Sequence, residues 1–206
     1  MKFGIIKERK NPPDRRVVFT PEELVRLQSE HPEAEIKVES SDIRIFSDDQ
    51  YRNLGLNVTA EMSDCDVLFG VKEVPVDALI PNKKYFFFSH TIKKQPYNRK
   101  LLKAILDKNI ELYDHETIVD ATNHRLIGFG RYAGLVGAYN GFRGFGIKYD
   151  LFTLPKAETL SGKEDLIARL KRQTLPNIKI VLTGHGKVGM GAKEILDGIK
   201  IKQVSV

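Results

Sequence analysis

Short apolar runs alternate with stretches of helical periodicity along most of this chain. Residues 2–8, "KFGIIKE", read as a strand, and residues 34–40, "AEIKVES", alternate apolar and polar as a second. "CDVLFGV" (65–71), "KKYFFFS" (83–89) and "IELYDHE" (110–116) are nearly continuous apolar runs, the signature of strands covered on both faces. "RVVFT" (16–20) reads as a further extended piece. Between these lie helices with clear punctuation. Thr20, Pro21 and Glu23 make a cap, a first-turn proline and a capping box, and Ser47, Gln50 and Gly55 repeat the logic with a glycine stop. "PYNRKLLKAILDKN" has a helical period, and "TIVDATNHRLIGF" reads as a hairpin turning near "ATNH". Strands alternating with helices predict α/β layers around a largely parallel sheet.

The next segment, "YAGLVGAYNGFRGFGIKY", carries Gly134, Gly137, Gly141 and Gly144. On a helix over about 131–148 they share one face. Each glycine costs about 1 kcal/mol against alanine in a helix interior, so the pattern predicts a close approach by another backbone or a ligand along that face. A polar linker with one helix at 163–173 follows, and a new strand opens at 178–182, "IKIVL". The expected organisation is a Rossmann-like parallel-sheet domain over 1–149, a linker over 150–177, and the start of a second, truncated Rossmann nucleotide-binding domain over 178–206.

That second start holds the first chemical signal. In "VLTGHGKVGMGAKEIL" a buried strand precedes the glycines and a helix follows them. Gly184 would permit the tight turn, Gly186 the approach of a pyrophosphate, and Gly189 the packing of helix on strand, with Gly191 extending the small surface. The helix amino terminus then points its N–H groups at phosphate. The cofactor expected is NAD or NADP. The acidic residue that normally follows about 20 residues later would lie at the end of a strand "IKQVSV" (201–206), where the sequence stops. An incomplete sheet of this kind would favour self-association through its edges.

Composition sets outer limits. The chain has 206 residues, 41% hydrophobic and 29% charged, which fits a soluble globular protein. A net charge of +6 is spread among interleaved acids, so it suggests a mild attraction for anions and no nucleic-acid partner. The single cysteine, Cys65, sits in an apolar run; it reads as a buried small residue and points to a reducing, cytoplasmic setting. No apolar stretch is long enough to span a membrane, and no metal site is expected.

A second set of candidates lies in the first domain. Lys72 in "GVKEVP" and His90 in "FFFSHT" both follow apolar strands, where open α/β sheets present ligand groups. A desolvated lysine and a histidine are general acid–base groups. Arg15 and Arg16 precede a helix and could hold a carboxylate in bidentate fashion. Alone, a strand-end histidine is usually structural and a lysine usually reaches solvent; their shared placement makes them a candidate site.

"KFGIIKERKNPPDRRVVFTPEEL" resembles the opening of the alanine dehydrogenase and transhydrogenase N-terminal domain family. "VKE", "FFFSHTIK", "YDHE" and "RLIGFGRYAGLVGA" resemble one branch, that of lysine-forming saccharopine dehydrogenase and lysine–ketoglutarate reductase. The resemblance runs over nearly the whole chain. It implies an NAD(P)-dependent oxidoreductase acting on the CH–NH bond between lysine and 2-oxoglutarate, with amino-acid and keto-acid substrates. It further implies Lys72 and His90 as the acid/base pair, and Arg16, Glu73, Glu116 and Arg125 as substrate-binding residues. Two alternatives stand beside it: an amino-acid dehydrogenase of alanine type, and a non-catalytic substrate-binding module.

Overall fold

The computed structural model describes residues 1–202 and residue 204. By its contacts the chain divides into two units, Met1–Gly128 and Phe129–Val206.

Unit 1 is built on six strands: β1 (Lys2–Ile5), β2 (Glu35–Glu39), β3 (Asn57–Thr59), β4 (Val67–Phe69), β5 (Lys84–Phe87) and β6 (Glu111–Asp114). Their order is β3-β2-β1-β4-β5-β6, and every ladder is parallel. The chain steps outward from β1 to β3, then returns to the other side of β1 and steps outward again. That reversal opens a crevice at the carboxyl ends of β1 and β4, the place where open α/β sheets bind ligands.

Three helices serve this sheet: α1 (Pro21–Glu30), α2 (Asp48–Arg52) and α3 (Arg99–Asp107). The expected capping boxes form at Thr20/Glu23 and Ser47/Gln50. Alternation along the strands supplies one core to each face. Leu101, Ala104 and Ile105 of α3 pack with Leu68, Tyr85 and Phe87. On the opposite face Leu24 of α1 and Tyr51 of α2 pack with Ile5, Ile36 and Val38. Burying a side chain such as Leu24, 1% exposed, contributes about 1.5–3 kcal/mol. Cys65 is fully buried in the α3-side core, as expected.

Two strand expectations fail in this unit. Residues 16–20 belong to no strand; the backbone there bonds to a loop instead, with the Arg15 carbonyl accepting from Ile45 N–H at 2.8 Å. The edge strand β3, only three residues long, was not anticipated because its period is too short to read. The hairpin at 117–129 is reduced to one antiparallel bridge between Val119 and Arg125.

Unit 2 consists of α4 (Gly130–Lys148), α5 (Lys163–Lys171) and α6 (Lys187–Gly198) around Leu135, Tyr139, Phe142, Leu166, Leu170 and Ile195. The unit boundary falls before the glycine-rich helix, whereas the sequence places it after that helix. Only the amino-terminal part of the glycine stripe makes a close approach. A Cβ on Gly134 would lie 2.0 Å from the Val188 carbonyl oxygen of α6, whereas Gly137, Gly141 and Gly144 have nothing within 4 Å. The helices cross at one end, and Gly141 lines a cavity of about 510 Å³ together with Phe142, Phe145, Ile180 and Leu182.

The strand expected at 178–182 is absent, and Val181 is 85% exposed. A parallel strand needs neighbours to accept its N–H groups, and unit 2 contains no strand among the described residues. In the expected closing strand at 201–206, Ile201 and Lys202 are in no strand, and residues 203, 205 and 206 lie outside the described residues.

Candidate active site

The candidate side chains of unit 1 sit just beyond the carboxyl ends of β1, β4, β5 and β6. Beyond β4, the backbone N–H groups of Val71 and Lys72 both donate to the Glu8 carboxylate, at 2.7 and 2.9 Å. Glu8 comes from the exit of β1 and is 7% exposed. Burial raises its pKa above the ordinary carboxylate value, against the pull of those two amides. The Lys72 ammonium makes no hydrogen bond or ion pair among the described residues. Arg16 is held by Asp14, its Nε donating to Oδ1 at 2.9 Å. That hydrogen bond holds the Asp14 carboxyl below its usual range, with the charge of Lys72 adding to the effect. Arg15, by contrast, is exposed.

His90 follows β5 in a left-handed conformation, φ 57° and ψ 8°. Such a backbone costs about 1–3 kcal/mol for a residue other than glycine and persists only where its surroundings impose it. Here the buried Asn98 amide donates to the His90 carbonyl at 3.0 Å. One residue back, Ser89 is fully buried, with its hydroxyl donating to Asp114 at the end of β6. The result aims the imidazole between two carboxylates. Nδ1 lies 2.9 Å from Glu116 Oε2, and Nε2 lies 3.7 Å from Glu73 Oε1.

Those carboxylates tie the cluster together. Glu73 also pairs with Lys10 at 3.1 Å. Glu116 pairs with Lys93 at 3.1 Å and lies 3.6 Å from Arg125. Burial of Glu116 works against ionisation, yet the hydrogen bonds to His90 and Lys93 outweigh it, so its pKa is lowered. Beside it on β6's exit, His115 is buried, with Nε2 3.1 Å from the Gly70 carbonyl oxygen and Nδ1 without a partner. Burial lowers its pKa, against the Gly70 carbonyl and Asp114. A nitrogen next to a carbonyl oxygen must carry the proton, so Nε2–H donates and Nδ1 is the bare acceptor.

The unit therefore offers a fixed imidazole, a primary amine with no side-chain hydrogen bond or ion pair among the described residues, and an arginine set by a carboxylate. That set can move protons and hold an anionic group. Lys72, Glu73, His90, Glu116, Arg16 and Arg125 all lie around the strand ends of this unit, with Arg125, half exposed, at the rim. Glu8, Lys10, Asp14 and Lys93 were missed. Their signal was available: Glu8, Lys10 and Asp14 lie in the charged run "KERKNPPDRR" that follows β1, and Lys93 follows His90 by one 3-10 turn.

Unit 2 holds the glycine loop. Gly184 has φ +85°, a turn open to glycine. A Cβ on Gly189 would lie 2.2 Å from the Gly184 carbonyl oxygen, and the space over Gly186 is open. Gly186 is the N-cap of α6 and, having no side chain, makes no side-chain cap hydrogen bond. Gly191 lies elsewhere: a Cβ there would meet the Arg131 carbonyl oxygen of α4 at 2.0 Å, so it permits helix crossing. The loop fits a phosphate group through Gly184, Gly186 and Gly189.

A parallel sheet with this strand order defines a Rossmann-like α/β domain, with a charged cluster along its carboxyl edge. The match to a family model is more particular. Residues 4–136 match the alanine dehydrogenase/PNT N-terminal domain, and the chain belongs to that family. It is 31% identical to alpha-aminoadipic semialdehyde synthase of Arabidopsis thaliana, over 93% of this chain and 20% of that protein. It is 27% identical to the NAD(+), L-lysine-forming saccharopine dehydrogenase of Yarrowia lipolytica, over 84% of this chain and 51% of that protein. A solved L-alanine dehydrogenase shares the fold with a TM-score of 0.67 at 19% identity, covering 97% of this chain and 52% of that one. The chain thus spans between a fifth and about half of these relatives. Among the described residues no helix is long and apolar enough to cross a membrane.

Proposed function

We propose that this chain is the substrate-binding part of an NAD(P)-dependent oxidoreductase of saccharopine dehydrogenase or lysine–ketoglutarate reductase type. The observation that carries the reading is the placement of Lys72 and His90 beyond the neighbouring ends of β4 and β5, with Glu73 and Glu116 facing the two imidazole nitrogens. The likeness to lysine-forming saccharopine dehydrogenases supports the substrate class. A nicotinamide dinucleotide, when bound at Gly184, Gly186 and Gly189, supplies hydride exchange with the carbon of the CH–NH bond. The protein's own residues do the rest. Arg16 holds a substrate carboxylate. Lys72 takes the proton of the secondary amine as the C–N bond becomes an imine. His90, oriented by Glu116, passes protons as water adds and the C–N bond breaks to give lysine and 2-oxoglutarate, or the reverse.

The test is oxidation of NADH and NADPH by the encoded protein with lysine and 2-oxoglutarate. Turnover with that pair, and none with pyruvate and ammonium, is expected. The opposite pattern replaces this reading by an alanine-type dehydrogenase. Binding of substrate carboxylates without turnover and without dinucleotide affinity, read by calorimetric titration, would make it a binding module.

A further inference from the structure

The main chain carrying Lys72 is held in an unusual way. Pairing of β1 with β4 ends at Ile5 and Phe69, with the Ile6 N–H donating to the Phe69 carbonyl at 2.9 Å. Beyond that point β1 offers no further carbonyl to its neighbour. On the β5 side the links continue: Gly70 N–H donates to Phe86, and the Val71 carbonyl accepts from Phe88 N–H. The Gly70 carbonyl is taken by His115. Two donors remain on the β1 side, the N–H groups of Val71 and Lys72, and one side chain receives both. It is Glu8, whose carboxylate stands where the next carbonyls of a continued strand would stand.

We propose that Glu8 is the positioning residue for Lys72: its carboxylate fixes the turn from which the side-chain amine reaches the reaction site. The inference rests on the acid–base role of Lys72 proposed above. Three observations carry it. Glu8 is 7% exposed, so water has little access to replace it on the two amides. Lys72 has no side-chain hydrogen bond or ion pair among the described residues, so its main chain is its anchor. Glu8 also lies within electrostatic reach of Asp14 and Arg16, and Asp14 within reach of Lys72. One buried carboxylate thus links the candidate base to the candidate carboxylate-binding arginine.

Glu8→Gln tests this with almost no change in volume. The amide oxygen can accept one N–H, while the NH2 group opposes the other donor. Three measurements on the encoded protein read the result. Hydrogen exchange at Val71 and Lys72 should quicken about fivefold, as expected for losing a hydrogen bond of about 1 kcal/mol, with Ile5 and Val38 still protected. Turnover should fall about 10- to 100-fold, the effect of a reacting group misplaced by about 1 Å, with KM for the dinucleotide unchanged. Acylation of Lys72 relative to surface Lys84, read by mass spectrometry, should change in ratio. Glu8→Asp, which keeps the charge but shortens the arm, should recover part of the turnover lost in Glu8→Gln. A folded Glu8→Gln protein with kcat within about twofold of wild type overturns the proposal, and so does a loss of protection that extends to Ile5 and Val38. If the wild-type protein turns over no lysine and 2-oxoglutarate, the functional reading fails by itself. The acylation ratio and the Val71 and Lys72 exchange rates then decide the Glu8 clamp, and no change in either overturns it.

Discussion

Unit 1 and unit 2 both contain the same sequence device, an apolar run that hands over to a polar or glycine-rich turn. In unit 1 the device produces strand ends that carry the candidate acid–base residues. Lys72 follows β4, His90 follows β5, and Glu116 follows β6, each strand paired with its neighbours. In unit 2 the run at 178–182 forms no strand, while the turn and helix after it still form. The difference teaches which parts of the pattern are local. A glycine with positive φ and a helix amino terminus need only their own residues. A strand needs a partner, so a functional position defined by a strand end exists only where a sheet defines the end.

The sharpest way to break that comparison is through activity. If unit 1 holds the reacting groups, Lys72→Met or His90→Leu should lower turnover by about 10²–10⁴-fold in the encoded protein. Steady-state kinetics with lysine and 2-oxoglutarate would measure it. Near-normal rates in either variant would remove that residue from proton transfer. Arg16 belongs to a milder class, since its loss should raise KM for substrate more than it lowers kcat.

A smaller effect separates the two ends of the glycine helix in unit 2. A Cβ on Gly134 would lie 2.0 Å from the Val188 carbonyl and 2.7 Å from the Ala192 nitrogen, both backbone atoms of α6. Gly134→Ala should therefore force the helices apart and destabilise the unit by about 1–3 kcal/mol. Gly137 has no atom within 4 Å of its added Cβ. Gly137→Ala should stabilise the same helix by about 1 kcal/mol. Thermal melts read through amide exchange of unit 2 would check both signs. Equal effects would mean that the glycine stripe acts as one surface along its whole length.

Legibility in the sequence followed the same division. Five of the six strands of unit 1 announced themselves as alternating or continuous apolar runs, and both capping boxes formed where the residues for them stood. Lys72 and His90 could be found because each follows such a run directly. Glu8 stands in a readable charged run, but its bonds to the Val71 and Lys72 amides could not be foreseen, because they depend on β1 and β4 becoming neighbours after two intervening strands have formed. Arg125 and Glu116 came from family resemblance alone, since a charged residue on a bridge or beyond an edge strand has no local mark. The misreading of Gly137, Gly141 and Gly144 has a related cause: helical spacing tells which residues share a face, but only the crossing of α6 tells how much of that face is met.

The weakest effect concerns acidity, and it sharpens the picture within unit 1 by setting three titratable groups against one another. His115 has a lowered pKa in the fold, from burial first. Its unfolded form therefore binds more protons below the ordinary value of 6.5, and stability is lost as pH falls through that value toward the folded one. Glu116 is also lowered, so its stabilisation is present above its ordinary value of 4.5 and is lost further into acid, as pH falls through its folded value. Glu8 is raised by burial, so its sign is opposite: the fold takes up a proton first, and stability grows as pH falls through its folded value toward 4.5. Denaturant midpoints should therefore fall between about pH 7 and pH 5, the histidine range, before Glu116 titrates. His115→Gln should flatten that segment. A wild-type profile that is flat through the histidine range, or one that His115→Gln does not flatten, would mean that the bare Nδ1 and buried ring of His115 do not set the acid response of this site.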